Sequence, residues 1–336
     1  MNELVSSKDV AKHAGVSQTT VSRVLNTPER VKKPTLKKVM DAIDELNYIP
    51  DGNARSLVQR KTRTIALISG PLHNPFFSET TTAIINYANA EGFRTNVHFI
   101  NDENSEEVYN SVFENKVDGI ILSSIYLDDP IFNKLEKSGI PFILFNRKHQ
   151  SEKNYVEIDN RQAGYLAAAH LLDKGHKNIV WIGGPLTIST FKGRMEGFIQ
   201  ALEDHQVTIP KERIVITDTK REELYDTFLA LQKSTEKPTA ICAATDAIAI
   251  RLMDFYISAG IRIPEDLSII GIDNVELSRH ASLNLTTIGM EDERGLGFLA
   301  VEKLFEMIYQ KNKSCIQIQK SVRLFERNTT MDHKFI

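Results

Sequence analysis

Residues 7–26 read SKDVAKHAGVSQTTVSRVLN. Val10, Ala11 and Ala14 fall at i, i+1 and i+4, on one face of a helix, with Ser7 as the expected cap. Gly15 supplies the left-handed residue on which a helix ends. Ser17 is placed to cap a second helix, where Val21, Val24 and Leu25 repeat the apolar spacing. Two short helices joined by so sharp a turn make a helix-turn-helix pattern, whose second helix enters a DNA major groove. Gln18, Thr19, Ser22 and Arg23 are the polar side chains on that helix. Gln and Arg each offer two parallel hydrogen bonds to a purine edge. An ordinary helical hairpin with a solvated polar face has the same local pattern, so the neighbouring sequence has to decide.

Charge favours DNA. Residues 1–63 carry twelve Lys and Arg against seven Asp and Glu, a net +5, while the rest of the chain, with 29 and 37, carries −8. A basic head on an acidic body fits a polyanion-binding module joined to a part that does not bind DNA. After the helix pair, Pro28 and Pro34 mark a loop, and a third helix is predicted over 35–46. Its stripe of Leu36, Val39, Ile43 and Leu46 closes a three-helix core. Lys32, Lys33, Lys37 and Lys38 suit phosphates, since point charges position without specifying. Pro50 stops the third helix. The next stretch, DGNARSLV at 51–58, is too short for a stable helix free in water. It is either a plain linker or a segment that folds only on DNA.

From Thr64 the pattern changes to apolar strands separated by helical stretches. Ten strands are read: TIALIS, FRTNVHFI, DGIILSS, PFILF, NYVEI, NIVWIGG, RIVIT, TAICAA, LSIIGI and LTTIGM. Helices are expected at 76–91, 104–116, 160–174, 191–204, 221–233, 246–259 and 292–310. The alternation predicts parallel sheets covered by helices on both faces. Ten strands are many for one sheet, so the α/β fold expected is a three-helix head and hinge helix followed by two doubly wound subdomains with a cleft between them. No run of 18 apolar residues is present, and the N-terminus lacks the pattern of a secretory signal, so a cytoplasmic protein without a membrane span is expected. Cys242 and Cys315 are read as small buried residues and Trp181 as core. The sequence has no GxGxxG after a strand, no P-loop and no GxSxG, and its nine His show no metal-ligand spacing. Neither an enzyme nor a cofactor is expected.

In an open parallel sheet, ligands bind outside the carboxyl ends of the strands. Asn146 follows PFILF, Thr245 and Asp246 follow TAICAA, and Asp273 follows LSIIGI. Thr190 and Arg194 come in or just after the loop behind NIVWIGG, and Phe77 begins the first helix of the body. A carboxylate, a guanidinium and an amide around an aromatic face suit a polyhydroxylated ring. Asp246 is better read as a helix cap than as a ligand, and Arg194 and Asp273 could simply pair across the cleft.

Taken whole, the chain resembles the LacI/GalR family of bacterial transcription regulators. DVAKHAGVSQTTVSRVLN and LNYIPDGNARSL resemble its head and hinge. IALI…NPFF, VDGIIL, FNR, GHKNIVWIGG, GRMEGF, GIDN and RLFERNTT follow in the family's order. The resemblance implies a repressor that binds a palindromic operator as a homodimer. It also implies a body folded like a periplasmic sugar-binding protein, with a small-molecule effector between its lobes. It implies DNA contacts at Ser17, Gln18, Thr19, Ser22, Arg23 and Asn26, backbone contacts at Thr35 and Tyr48, a minor-groove contact at Ala54, and a wedge between base pairs at Leu57. Effector positions follow at Phe77, Asn146, Thr190, Arg194, Thr219, Thr245 and Asp273. The expected domains are a head at 1–50, a hinge at 51–63 and a body at 64–336. In the body one lobe takes about 64–159 and 291–318, the other about 160–290 and 319–330.

Some residues depart from the family. Asp51 and Gly52 weaken the hinge helix, Gly by about 1 kcal/mol relative to Ala. Ile188 stands where the purine-responsive member has a ligand-binding Arg, which argues against a purine. Thr219 replaces an aromatic of several sugar binders, with Lys220 beside it, which brings a phosphorylated or acidic sugar within reach; the effector expected remains a sugar or sugar derivative. The alternative is a regulator of the same fold controlled by a phosphorylated carrier protein docked on 292–310, where Glu291, Asp292 and Glu293 would repel it.

Overall fold

The computed structural model describes residues 5–49, 62–100, 104–292, 294–310 and 315–333. The chain forms two compact units, Met1–Arg63 and Thr64–Ile336.

The head has helices α1 (Ser7–Ala14), α2 (Gln18–Asn26) and α3 (Lys33–Glu45). Ser6, not Ser7, caps α1. Its hydroxyl accepts from the Asp9 N–H, and the Asp9 carboxylate accepts from the Ser6 N–H at 2.9 Å. The reciprocal pair needs an acid three residues on, which Ser6 has and Ser7 lacks. Ser7 instead accepts from Gln18 Nε2 at 2.9 Å, tying α1 to α2. Gly15 ends α1 at φ 66°, and Ser17 caps α2 through the Thr20 N–H. Helix α3 starts two residues earlier than predicted, because Pro34 fits a first turn, where no N–H is needed. Val10, Val21, Val24, Val39 and Ile43 meet in the core, with Leu36, Leu46 and Tyr48 packed against it. The hinge segment with Ala54 and Leu57 lies outside the described residues.

The body has two lobes. The first holds β1 (Thr64–Ser69), β2 (Arg94–Phe99), β3 (Gly119–Leu122), β4 (Phe142–Phe145), β5 (Tyr155–Ile158) and β11 (Gln317–Lys320), with helices α4 (Pro75–Ala90), α5 (Ser105–Glu114), α6 (Ile131–Ser138) and α11 (Gly295–Gln310). The second holds β6 (Ile179–Gly183), β7 (Ile214–Ile216), β8 (Ala240–Ala243), β9 (Ser268–Ile272), β10 (Thr287–Met290) and β12 (Val322–Phe325). Its helices are α7 (Asn160–Asp173), α8 (Ser189–Asp204), α9 (Arg221–Lys233) and α10 (Asp246–Ser258). The sheet orders are β11-β5-β4-β3-β1-β2 and β12-β10-β9-β8-β6-β7. Every pairing is parallel except β10 with β12. Alternate residues of the central strands face opposite helix layers: Ile65 and Leu67 join one apolar cluster, Ala66 and Ile68 the other.

The chain crosses between lobes after Ile158, after Met290 and after Lys320. Strands β11 and β12 are absent from the sequence reading; β11 takes the first lobe to Lys320 rather than 318, and β12 joins the second. Both are four-residue edge strands, and β11 alternates exposed and half-buried residues. Helix α6 was missed as well. Cys242 is buried as expected, but Cys315 is exposed, since it precedes an edge strand rather than a central one. Trp181 is fully buried against Phe198. Among the described residues, no helix is long and apolar enough to cross a membrane.

Candidate functional site

A cleft of about 1390 Å³ opens at the carboxyl ends of the body strands. Phe77, Asn146, Thr190, Arg194, Thr219, Thr245 and Asp273 all line it.

The second-lobe wall rests on the crossing of α7 and α8. A Cβ on Gly164 would stand 1.8 Å from the Arg194 carbonyl oxygen, and one on Gly197 would stand 1.9 Å from that of Arg161. The two glycines let the backbones touch and so fix where Arg194 starts. Its side chain is 1% exposed. Nε donates to Asn160 Oδ1 at 2.9 Å, one terminal nitrogen to the Ala244 carbonyl at 2.6 Å, and the other to Asp273 Oδ1 at 2.7 Å. The ion pair lies within the second lobe, not across the cleft. Asn160 also donates to Glu157 at 3.1 Å, and Lys148 stands 3.5 Å from that carboxylate. A polar chain thus runs from the first lobe through the crossing at Ile158 to Asp273. Burial pushes the Glu157 carboxyl up, against Lys148 and Asn160.

Asp246 neither caps a helix nor lines the cleft. Thr245 is the cap of α10, its hydroxyl accepting from the Ile248 N–H at 3.2 Å. The Asp246 carboxylate turns inward, accepting from Val275 N at 3.0 Å and Thr287 Oγ1 at 2.5 Å. Burial, and then the neighbouring Asp273, raise its pKa; burial also raises that of Asp273, which Arg194 opposes.

The first-lobe wall is aromatic and less saturated. Phe77 packs edge-on against Phe76, 5.5 Å between centroids. The Asn146 backbone carbonyl accepts from the Thr190 hydroxyl across the lobes, but its side-chain Oδ1 is buried without a partner. The Tyr109 hydroxyl, on the same wall, is likewise unpartnered. Other bonds between lobes run from Leu127 N to the Thr187 carbonyl at 2.9 Å, Lys148 N to Ser189 Oγ at 2.8 Å, and Glu276 N to Glu79 Oε1 at 2.9 Å. Thr219 is half-buried at the mouth, and the adjacent Lys220 pairs with Asp218 at 3.1 Å. Asn146, Thr219 and Asp273 sit at φ 64°, 65° and 139°, conformations rare for residues with a side chain and concentrated at functional sites. Tyr109 and Arg147, which line the cleft, went unselected. Arg147 stands in the FNR stretch directly after Asn146 and was open to the same strand-end argument.

In the head, Gln18, Thr19 and Arg23 are exposed on α2 and Ser22 is half-buried. Asn26 donates from Nδ2 to Ser22 Oγ at 3.3 Å, while its Oδ1 is buried without a partner. Thr35 lies in the first turn of α3, and Tyr48 packs on the core. Lys32, Lys33, Lys37 and Lys38 are all exposed.

A helix-turn-helix head joined to a two-lobed α/β body with a polar cleft is the architecture of a ligand-responsive DNA-binding regulator. Residues 7–51 match the model of bacterial regulatory proteins of the lacI family, and 168–330 that of the periplasmic binding protein-like domain. The chain is 34% identical over 336 residues to the HTH-type transcriptional repressor PurR of Proteus mirabilis, covering 98% of each. The Lac repressor dimer bound to operator and the anti-inducer ONPF has a TM-score of 0.81 at 27% identity, covering 98% of this chain and 100% of that one. A LacI family regulator from Enterococcus faecium with bound ribose has a TM-score of 0.71 at 29% identity, covering 80% of this chain and 99% of that one. The chain belongs to the LacI family of bacterial regulatory proteins. It is a DNA-binding transcriptional repressor and not an enzyme.

Proposed function

We propose that the chain binds a palindromic operator as a homodimer, and that a sugar or sugar derivative in the cleft controls that binding. The observation that carries the effector reading is one cleft in which the Asp273 carboxylate, the Arg194 guanidinium, the Asn146 amide and the hydroxyls of Thr190, Thr219 and Thr245 stand beside the Phe77 ring. Such a mixture matches the alternating donors, acceptors and apolar faces of a sugar ring. Ile188, buried in the cleft wall, offers a nucleobase neither donor nor acceptor. The ribose held by the Enterococcus faecium regulator supports the same class. The dimeric assembly of the operator-bound Lac repressor supports a homodimer, whose two-fold symmetry a palindrome mirrors.

Operator affinity of the full chain, measured with and without each of a panel of sugars, tests the reading. At least one sugar should change that affinity tenfold or more and raise the melting temperature. A ligand at 100 times its Kd adds about 2.7 kcal/mol. A panel that leaves both untouched sinks the sugar. For the head, Arg23→Ala should relax preference at one operator position by about 1–3 kcal/mol. Lys33→Ala should instead weaken all sequences alike and lower the salt slope by about 1. Equal, sequence-blind losses would remove Arg23 from the base readers.

A further inference from the structure

Three arginines line the cleft, and two of them, Arg194 and Arg147, stand in opposite conditions. Arg194 donates to three protein acceptors, one of them the Asp273 carboxylate. Arg147 follows Asn146 at the carboxyl end of β4 and lines the same cleft, yet it has neither hydrogen-bond acceptor nor ion pair among the described residues. The ionisable groups that act on it are two phenols, Tyr126 and Tyr109. Burial pushes its pKa down to about 10, so it remains charged at neutral pH after losing part of its water. Two buried atoms beside it are also unsatisfied. Tyr109 is 4% exposed with an unpartnered hydroxyl, and Asn146 is 8% exposed with an unpartnered Oδ1. Native proteins leave few such groups without a partner, and each one calls for an explanation.

We propose that Arg147 and Tyr109 form an anion-reading subsite, and that the effector is a sugar carrying a carboxylate or phosphate. The inference rests on the sugar reading above and narrows it. Arg147 brings five N–H donors in a planar fork and Tyr109 an O–H, a donor-rich set matched by an oxyanion. Neutral hydroxyls would fill the hydrogen bonds but leave the desolvated charge uncompensated. Among the described residues, the acidic groups near this wall do not take that place. Glu106 and Asp128 are exposed, and the Asp129 carboxylate accepts from the Ile131 N–H at 3.1 Å. Lys220 does not carry the preference either, because Asp218 already pairs with it.

Calorimetry on the full chain tests this with D-glucose, D-glucuronate and D-glucose 6-phosphate, and with D-ribose and D-ribose 5-phosphate. A charged sugar should bind at least 100-fold more tightly than its neutral parent, and the carboxylate and phosphate arms then tell the two anions apart. Arg147→Gln should remove about 100-fold from the charged sugar and under threefold from the neutral one. Tyr109→Phe should remove about tenfold. Arg147→Lys, which keeps the charge without the fork, should fall between wild type and Arg147→Gln, and circular dichroism checks that each variant is folded. Neutral sugars that bind as tightly as charged ones, and lose affinity in Asp273→Asn, overturn the anion subsite while the cleft reading stands. Equal losses of both sugars in Arg147→Gln overturn it too. If no sugar binds, charged or neutral, the inference falls together with the reading beneath it.

Discussion

On one wall of the cleft Arg194 is bonded to Asn160, Ala244 and Asp273; on the facing wall Arg147 is bonded to nothing among the described residues, with two orphaned polar atoms for neighbours. Both residues are arginines at the ends of body strands or on the helices that follow, and a reading by residue type cannot separate them. The difference lies in what their charge is for. A buried, fully paired guanidinium fixes the position of the groups around it, and removing it exposes the cost of the charges it held. An unpaired one contributes little to the fold and leaves its donors for a ligand. On the proposed reading the second-lobe wall is framework as well as binding surface, while the first-lobe wall keeps polar groups that an effector would satisfy.

Arg194→Met puts the largest strain on this contrast. It leaves the Asp273 carboxylate buried beside Asp246 with no guanidinium, and breaking a buried pair from one side typically costs about 3–5 kcal/mol. Urea unfolding of the full chain should show a loss of that size. A loss under about 1 kcal/mol would mean that the wall does not depend on the pair.

Titration gives the next effect, and it too belongs to the second lobe. His176 is fully buried, with Nε2 donating to the Met331 carbonyl and Nδ1 against Thr239 Oγ1, both at 3.0 Å. Burial pushes its pKa from 6.5 down to about 4. The unfolded chain therefore takes a proton near pH 6.5 that the folded chain refuses until about pH 4. Stability is fully present above 6.5 and is lost as pH falls through that window. The difference is worth about 3 kcal/mol when complete. The slope of unfolding free energy between pH 7 and 5 should flatten in His176→Gln. An unchanged slope would place the acid sensitivity elsewhere.

Gly197→Ala should destabilise by about 1–3 kcal/mol through overpacking. The added Cβ meets the Arg161 carbonyl oxygen, backbone that cannot step aside without parting α7 from α8. Better helix propensity returns only about 1 kcal/mol. A variant as stable as wild type would show that the helices have room, and that Arg194 is not placed by their contact.

The sequence carried the two-lobed α/β frame because central strands buried on both faces read as unbroken apolar runs, such as IVWIG and SIIGI. It did not carry β11 and β12, four-residue edge strands with too short an apolar run to read; in β11 half the residues are exposed. The seven cleft residues were legible from strand ends and from the family resemblance together. Their partners were not. Periodicity says nothing about the Asp246 carboxylate turning inward to Thr287, because that depends on a residue 41 positions away. Nor could it tell Arg194 from Arg147, because the pairing of Arg194 is decided by Asn160 on a different helix and by Asp273 after a different strand. Cys315 differs from its expected burial because the apolar stretch around it leads into an edge strand.

The smallest effect is the most discriminating. Arg147→Met removes a charge with no described partner and keeps most of the aliphatic stem, so no acceptor is orphaned by its loss. The mechanisms that make single substitutions severe, a broken buried network or a stranded charge, do not operate here. Without effector, the unfolding free energy should stay within about 0.5 kcal/mol of wild type, the range of substitutions clear of such features. A small gain is the more natural sign, since a partly desolvated cation is replaced by an apolar chain. Arg147 and Arg194 share no partner, so the double variant should lose what Arg194→Met loses alone, to within about 0.5 kcal/mol. A large loss in Arg147→Met would mean that its guanidinium holds the first-lobe wall as Arg194 holds the second. The two walls would then be framework alike, and the argument for an anion at Arg147 would lose its footing.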